Sequence, residues 1–309
     1  MCRVLMYQGA EVRLDDLLYQ PDNSLIKQVY DAQLLKMLNL AGFGMLAWDG
    51  ASHEPEMPFS YRSTSIPVFD RNLRDLAQKL RVSAAIAHVR GVPFHDRVTL
   101  GEQNLHPFLY KGARIALVHN GHLADFERMR FALLDHIKPA IAQQIRGNTD
   151  TEWLYALLLS QLDDPTSARC GEEIVDAVEK MLASIRHVRE RYRIDTSSAA
   201  NLFISDGTSA VAVRFAFDYG CYDMDKPDEL RQADHEFLSL WYTTGSSYGL
   251  HDGEWKMISA PAATDGSILI SSEPLTRDTS TWCEVPEYTA IIATGEGGRQ
   301  QIRFRQIEA

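Results

Sequence analysis

Apolar residues fall in short blocks along the first part of the chain, at 4–7, 43–48, 84–89 and 115–119, and Gly, Pro or Asn bound them. Blocks this short, so bounded, predict β-strands. Elsewhere the apolar spacing becomes that of a helix. Leu73, Leu76, Ala77 and Leu80 share one helical face after Asn72. Asp125 is placed to cap a second helix running to about Ile137, with Phe126, Met129, Leu133, Leu134 and Ile137 facing inward. Two longer helices are predicted. One, at 151–162, is rich in Leu, Trp and Ala; the other, at 172–192, places Ile174, Val175, Val178, Met181, Leu182, Ile185 and Val188 in one stripe. Pro165 separates them.

After Asp195 the pattern returns to strands. Segments 201–205 and 210–217 flank Asp206-Gly207, a strong hairpin signal, and further strands are expected at 240–244, 268–272, 289–293 and 302–307. The order is strands, helices, strands, with no repeat, low-complexity tract or long linker between them. That order predicts an α+β fold of sheets covered by helices. A single domain over 1–309 is expected, with a motif-bearing half at 1–192 and a strand-rich half at 193–309.

Composition narrows the partners. The chain has 309 residues, long enough to bury a sizeable core without disulfide or metal staples. Hydrophobic residues make up 45% and charged residues 24%, which excludes disorder as the main state. Lys and Arg number 31 against 42 Asp and Glu, a formal charge of −11. A net-acidic chain without a Lys/Arg run is a poor candidate for binding nucleic acid or an anionic membrane. The longest apolar stretches, such as 153–159, are far short of the roughly 20 residues of a bilayer span. Met1-Cys2-Arg3 leads straight into a strand with no apolar signal region, so a cytoplasmic location is expected. The four cysteines, Cys2, Cys170, Cys221 and Cys283, make no CxxC pair and suggest neither a zinc site nor a disulfide framework.

Cys2 is the unusual one. Removal of Met1 would make it the first residue, with its own α-amine in reach of its thiol. An α-amine titrates near 7.7–8.0 and a free thiol near about 8.5, so such a residue carries a nucleophile and a general base together. Alone, position 2 could equally hold a small buried side chain. A thiol attacking an acyl carbon needs donors for the oxyanion, and His119-Asn120-Gly121 closes a predicted strand with an amide and a glycine N–H. Read plainly, that triplet is an Asn-Gly turn. Arg90, after the strand at 84–89, could clamp a carboxylate, or form a surface ion pair. Asp150, in Gly147-Asn148-Thr149-Asp150-Thr151-Glu152, could receive an ammonium, or simply favour a helix start. The histidines His88, His95, His106, His119 and His122 raise a metal hydrolase as a rival. They make no HExxH or helical i, i+4 pair, so core roles are expected and no metal site is assigned.

Taken together, these sites resemble those of the class II glutamine amidotransferases, a branch of the N-terminal nucleophile hydrolases. The matching elements, in order, are Met-Cys-Arg at 1–3, His88-Val89-Arg90, Asn104-Leu105-His106-Pro107-Phe108, His119-Asn120-Gly121 and Thr149-Asp150-Thr151-Glu152. Within the class the chain is most similar to the γ-glutamyl hydrolases of the glutathione-degrading complex and of ergothioneine synthesis. That likeness runs through 14–18, 24–28, Gly42-Phe43-Gly44, 202–207, 245–247 and Ser272-Glu273-Pro274-Leu275-Thr276 to Trp282 and Val285-Pro286. It covers almost the whole chain.

The resemblance implies a four-layer αββα sandwich with Cys2 as nucleophile and its amine as base. It implies an oxyanion hole at Asn120 and Gly121. Arg90 would hold the α-carboxylate of a γ-glutamyl unit and Asp150 its α-amino group, with glutamate released through a thioester. It implies no cofactor, a small γ-glutamyl substrate such as glutamine or a γ-glutamyl peptide, and room for a partner peptidase or synthase subunit. Two positions depart from the family pattern. Pro93 stands where many members have a Thr that helps hold the glutamyl group, and Ala41 where an Asp commonly precedes the Gly-Phe-Gly, so strict use of glutamine is not implied. A glutaminase subunit feeding a separate acceptor chain and a non-catalytic γ-glutamyl-binding relative remain as alternatives.

Overall fold

The computed structural model describes residues 2–34, 36–92, 100–219, 237–258, 266–296 and 299–309. In chain order the regular elements begin with β1 (Arg3–Arg13), α1 (Leu14–Leu18), β2 (Phe43–Trp48), β3 (Phe59–Ser63), α2 (Arg71–Ala77), β4 (Arg81–Val89) and β5 (Ala116–Gly121). The helices α3 (Phe126–Met129), α4 (Pro139–Ala142), α5 (Asp150–Gln161) and α6 (Gly171–Tyr192) follow. The chain then gives β6 (Ser198–Ser205), β7 (Ser209–Arg214), β8 (Ala216–Phe217), β9 (Trp241–Gly245), β10 (Ser247–His251) and β11 (Glu254–Ile258). It ends with β12 (Ser267–Ser271), β13 (Cys283–Glu284), β14 (Thr289–Glu296) and β15 (Arg299–Gln306).

Two antiparallel sheets carry the fold among the described residues. The first has the order β13-β9-β12-β1-β4-β2-β3; the second has β15-β14-β7-β6-β5, with β8 pairing onto β6. Both ends of the chain therefore feed both sheets. Side chains alternate across each strand, and that alternation builds the layers. Val4 and Met6 of β1 join Leu46, Trp48 and Ile86 on the face that meets Ala116, Val118, Phe203 and Ile291 of the second sheet. Leu5 and Tyr7 point the other way, onto Leu14, Leu17 and Leu18 of α1 and Leu73 and Ala77 of α2. On the far side, Leu117, Leu202, Ile204, Val211 and Val213 pack beneath α5 and α6. The result is helix, sheet, sheet, helix.

The local chemistry explains the helices. Every residue from Thr151 to Ser160 in α5 is buried, as an all-round apolar helix must be. The stripe predicted for α6 is its buried face, and Cys170 N–H donates to Glu173 at 3.0 Å at its start. Asp70, not Asn72, caps α2, accepting Leu73 N–H at 3.0 Å. Among the described residues no helix is long and apolar enough to cross a membrane.

One expectation fails. The helix predicted from Asp125 to Ile137 is broken into α3, a 3₁₀ turn at Ala132–His136, and then α4. Asp125 sits at φ 54° and its carboxylate takes Arg128 Nη1 at 2.7 Å rather than capping. Pro139 opens α4, and the residue before a proline is driven to an extended conformation, as Lys138 is at ψ 133°. Phe126, Met129, Leu133 and Ile137 are buried as predicted and only Leu134 of that set is exposed, so the apolar face is largely kept although the helix carrying it is broken. The strand expected at 210–217 is likewise divided, because Phe215 N–H turns to Asn201 Oδ1 at 3.3 Å between β7 and β8.

Candidate active site

The start of β1 lies between two strand ends. It pairs antiparallel with β4, Arg3 opposite Val89, and with β12, Leu5 opposite Ser271. The β4 register, continued by one residue, sets Cys2 beside Arg90-Gly91; on the β12 side Ser272 lies against Val4, its N–H donating to Val4 O at 3.0 Å, and Glu273 pairs with Arg3. Its thiol lies half-buried against Gly91, whose N–H approaches Sγ at 3.4 Å and whose carbonyl lies 3.6 Å away.

Arg90 is buried beside it. Its backbone is clamped on both sides: its N–H donates to Gly42 O at 2.9 Å and its carbonyl accepts Ala41 N–H at 3.0 Å. Gly42 sits at φ 115°, a conformation that side chains strongly disfavour, so the glycine sets the geometry of this clamp. Ala41, one of the departures from the family pattern, contributes a backbone N–H here. Burial lowers the Arg90 guanidinium pKa, and Cys2 and Asp150 both oppose that fall. Among the described residues Nη1 is buried without a hydrogen-bond partner. A buried guanidinium of this kind is suited to bind a carboxylate.

The second sheet supplies His119-Asn120-Gly121 at the end of β5, in register with Asn201 and Ala200 of β6. The His119 ring spans two partners, Ala199 O and Thr151 Oγ1, each at 3.1 Å. Burial lowers its pKa and keeps it neutral. A carbonyl only accepts, so Nε2 carries the proton and Nδ1 accepts from Thr151. Gly121 makes this possible: a Cβ there would lie 2.0 Å from Ala199 O and 2.5 Å from His119 Nε2. Asn120 alternates to the face between the sheets, where it is buried with its Oδ1 unpartnered among the described residues.

Asp150 opens α5. Thr149 caps the helix, and the carboxylate is pinned by Thr151 N–H at 2.8 Å and Leu123 N–H at 2.9 Å. The loop before it is tied to the Asn104 segment, whose side chain exchanges hydrogen bonds with Asn148 at 2.8 and 3.1 Å. The structure thus gathers Cys2, Arg90, Asn120, Gly121 and Asp150 at one end of the sandwich.

The sequence model of the family described as glutamine amidotransferases class-II matches residues 60–219, just over half of the chain. The chain belongs to the class II glutamine amidotransferases. It is similar to the probable glutamine amidotransferase DUG3 of Saccharomyces cerevisiae, 29% identical over 304 residues, covering 93% of this chain and 80% of the yeast protein. Its fold is similar to that of a glutamine aminotransferase class-II domain protein of Silicibacter pomeroyi (TM-score 0.61, 20% identity, all of both chains). It is also similar to the glutamine phosphoribosylpyrophosphate amidotransferase of B. subtilis (TM-score 0.57, 16% identity, 99% of this chain and 49% of that one). The chain spans about half the length of that enzyme, and the shared fold is the N-terminal nucleophile hydrolase sandwich.

This class II chain carries further features that its sequence did not single out. Arg3 is buried in an ion pair with Glu273, Nε to Oε2 at 3.3 Å, and its Nη1 donates to the Cys2 carbonyl at 3.0 Å. Residues 3 and 273 are far apart in sequence, and only the pairing of β12 with β1 joins them. The histidines separate by burial. His88 and His106 are buried with ring centroids 4.3 Å apart, and burial pushes the pKa of His88 down to about 3 and that of His106 well below its ordinary value. His122 is exposed, 3.8 Å from Asp150. Among the described residues no three His, Cys, Asp or Glu side chains converge to hold a metal. Met1, Pro93, His95 and Cys221 lie outside the described residues.

Proposed function

We propose that this amidotransferase hydrolyses γ-glutamyl amide bonds through Cys2, with Met1 removed. The observation that carries the reading is Arg90, a buried guanidinium with a nitrogen unpartnered among the described residues, electrostatically coupled to both Cys2 and Asp150. A γ-glutamyl unit presents a carboxylate and an ammonium on one carbon. Arg90 and Asp150 offer the complementary pair, and the thiol lies beside them.

In the proposed sequence the Cys2 α-amine takes the thiol proton and Sγ attacks the γ-carbonyl carbon. The oxyanion is held by the Asn120 amide and the Gly121 N–H. Collapse breaks the C–N bond, and the leaving amine takes the proton from the Cys2 ammonium. Water then loses a proton to the amine and adds to the thioester; the C–S bond breaks and glutamate leaves. No cofactor enters. The likeness to the γ-glutamyl hydrolase groups supports a peptide-like substrate, a cytoplasmic setting, and residues 1–309 acting as one domain.

Two measurements test this. Glutamate release is compared on glutamine and on glutathione, using protein whose mass confirms a free Cys2 amino terminus. Release is expected from glutathione. Preference for glutamine would move the reading to an ammonia-donating subunit with a separate acceptor chain, and silence on both would overturn it. Arg90→Ala should raise KM about 10–100-fold with a smaller change in kcat, because it removes a charge-assisted contact of about 1.5–3 kcal/mol to a part of the substrate that does not react. An unchanged KM would remove Arg90 from the substrate site.

A further inference from the structure

On the β12 side of β1, beside Arg3, lies a small cavity of about 10 Å³, lined among the described residues by Arg3, Leu34, Asn120, Leu238, Ser239, Ser272 and Glu273. We infer that this cavity is the leaving-group side of the site and that Leu34 is the wall that sets how large a leaving group passes.

The argument rests on the hydrolase reading above and starts from strand order. β1 lies between β4 and β12. Arg90, which would hold the glutamyl carboxylate, follows β4; Ser272 and Glu273 follow β12. The acyl part and the departing amine lie on opposite sides of the attacked carbon, so a glutamyl unit anchored beyond β4 directs its leaving group toward β12. The cavity is there, bordered by Arg3, the residue after the nucleophile, and by Asn120. The buried Asn120 Oδ1 is without a partner among the described residues. With the amide nitrogen turned to the oxyanion, that oxygen is free to accept an N–H of the departing amine.

Its size is informative. A cavity of about 10 Å³ is at the limit for a single water. Ammonia fits such a space, as does the water that must attack the thioester from the side the amine has left. A peptide-like amine is larger than this space, so it must extend past one of the walls.

The two walls differ in how they are held. Leu238 and Ser239 are fixed by side chains: Leu238 O accepts Asn201 Nδ2 at 2.9 Å and Arg214 Nε at 3.1 Å, and Ser239 Oγ donates to Ser272 O at 3.0 Å. Leu34 hangs from the Glu273 carboxylate through its own N–H at 3.2 Å and that of Gln33 at 3.0 Å. Leu34 is 49% exposed. Leu34 is therefore the wall that can yield, and Glu273 joins it to Arg3 and through Arg3 to the Cys2 carbonyl.

The test is the ratio of kcat/KM for γ-glutamylcysteinylglycine to that for glutamine, with γ-glutamylethylamide between them in size, in the parent, Leu34→Ala and Leu34→Trp proteins. The removal or addition of bulk at a pocket wall is worth about 10–200-fold in discrimination. The ratio should rise about 10-fold or more in Leu34→Ala and fall by a similar factor in Leu34→Trp, with the ethylamide intermediate. Ratios within about twofold of the parent in Leu34→Ala overturn the inference and leave the hydrolase reading intact, whether or not the Trp variant folds. A parent protein that releases glutamate from none of the three overturns the hydrolase reading, and this inference with it.

Discussion

Cys2→Ala should release glutamate from no γ-glutamyl amide, a loss of about 10⁴-fold or more in turnover, while the protein keeps its fold. On the proposed mechanism the thiol is the only group that bonds to substrate, and loss of a nucleophile leaves only the binding and oxyanion contributions. The fold should tolerate the change. The Cys2 side chain is only partly buried, its thiol's hydrogen-bond contacts among the described residues are with the Gly91 backbone, and the start of β1 is held by its pairing with β4 and by the Arg3–Glu273 pair. A surface-type stability change of about 0.5 kcal/mol is expected, read by thermal unfolding beside the activity assay. A second variant isolates the amine. An amino-terminal extension that leaves Cys2 internal keeps the thiol and removes the base, and it should be as inactive as Cys2→Ala. Turnover in Cys2→Ala would end the nucleophile assignment; turnover in the extended protein would end the amine's role and leave the thiol's intact.

Much of the fold is legible where one physical signal dominates. The apolar block at 43–48 coincides with β2, and the stripe predicted at 172–192 is α6 within one residue. The failures follow from competing signals. Asp125 precedes a helical spacing whose positions Phe126, Met129, Leu133 and Ile137 are buried, but a short helix and a 3₁₀ turn carry them instead of one helix, and Pro139 starts the next. The hairpin of β10 and β11 turns at Asp252-Gly253, an available cue, yet its strands are partly exposed and their apolar alternation is weak.

The site shows the same division. Cys2, Arg90, Asn120, Gly121 and Asp150 could be picked out because unusual residue types stand at strand ends and a helix start. What holds them could not. Leu123 N–H pins Asp150, Ala199 O orients His119, and Glu273 anchors Arg3, and each contact exists only once the strands have been ordered. Local sequence carries residue identity, whereas these partners depend on topology.

Asn120 gives the sharpest test of the oxyanion reading. Asn120→Ala should cost about 10²–10³ in kcat with little change in KM, because a donor aimed at charge that develops during the reaction contributes to the transition state and not to substrate binding. Gly121→Ala is a poorer probe. Its new Cβ would lie 2.0 Å from Ala199 O and 2.5 Å from His119 Nε2, so it would displace the ring as well as the N–H, and any loss would have two causes. Asn120→Asp avoids that difficulty. It keeps the shape and the β5–β6 register, Asn120 opposite Asn201, but replaces the amide donor with a group that at neutral pH only accepts. If the amide donates to the oxyanion, Asn120→Asp should be at least as impaired as Asn120→Ala. If Asn120 merely fills the space between the sheets, the isosteric Asp variant should be the more active of the two. The order of the two variants, measured as kcat on one substrate, therefore separates a donor from a spacer even if both lose activity.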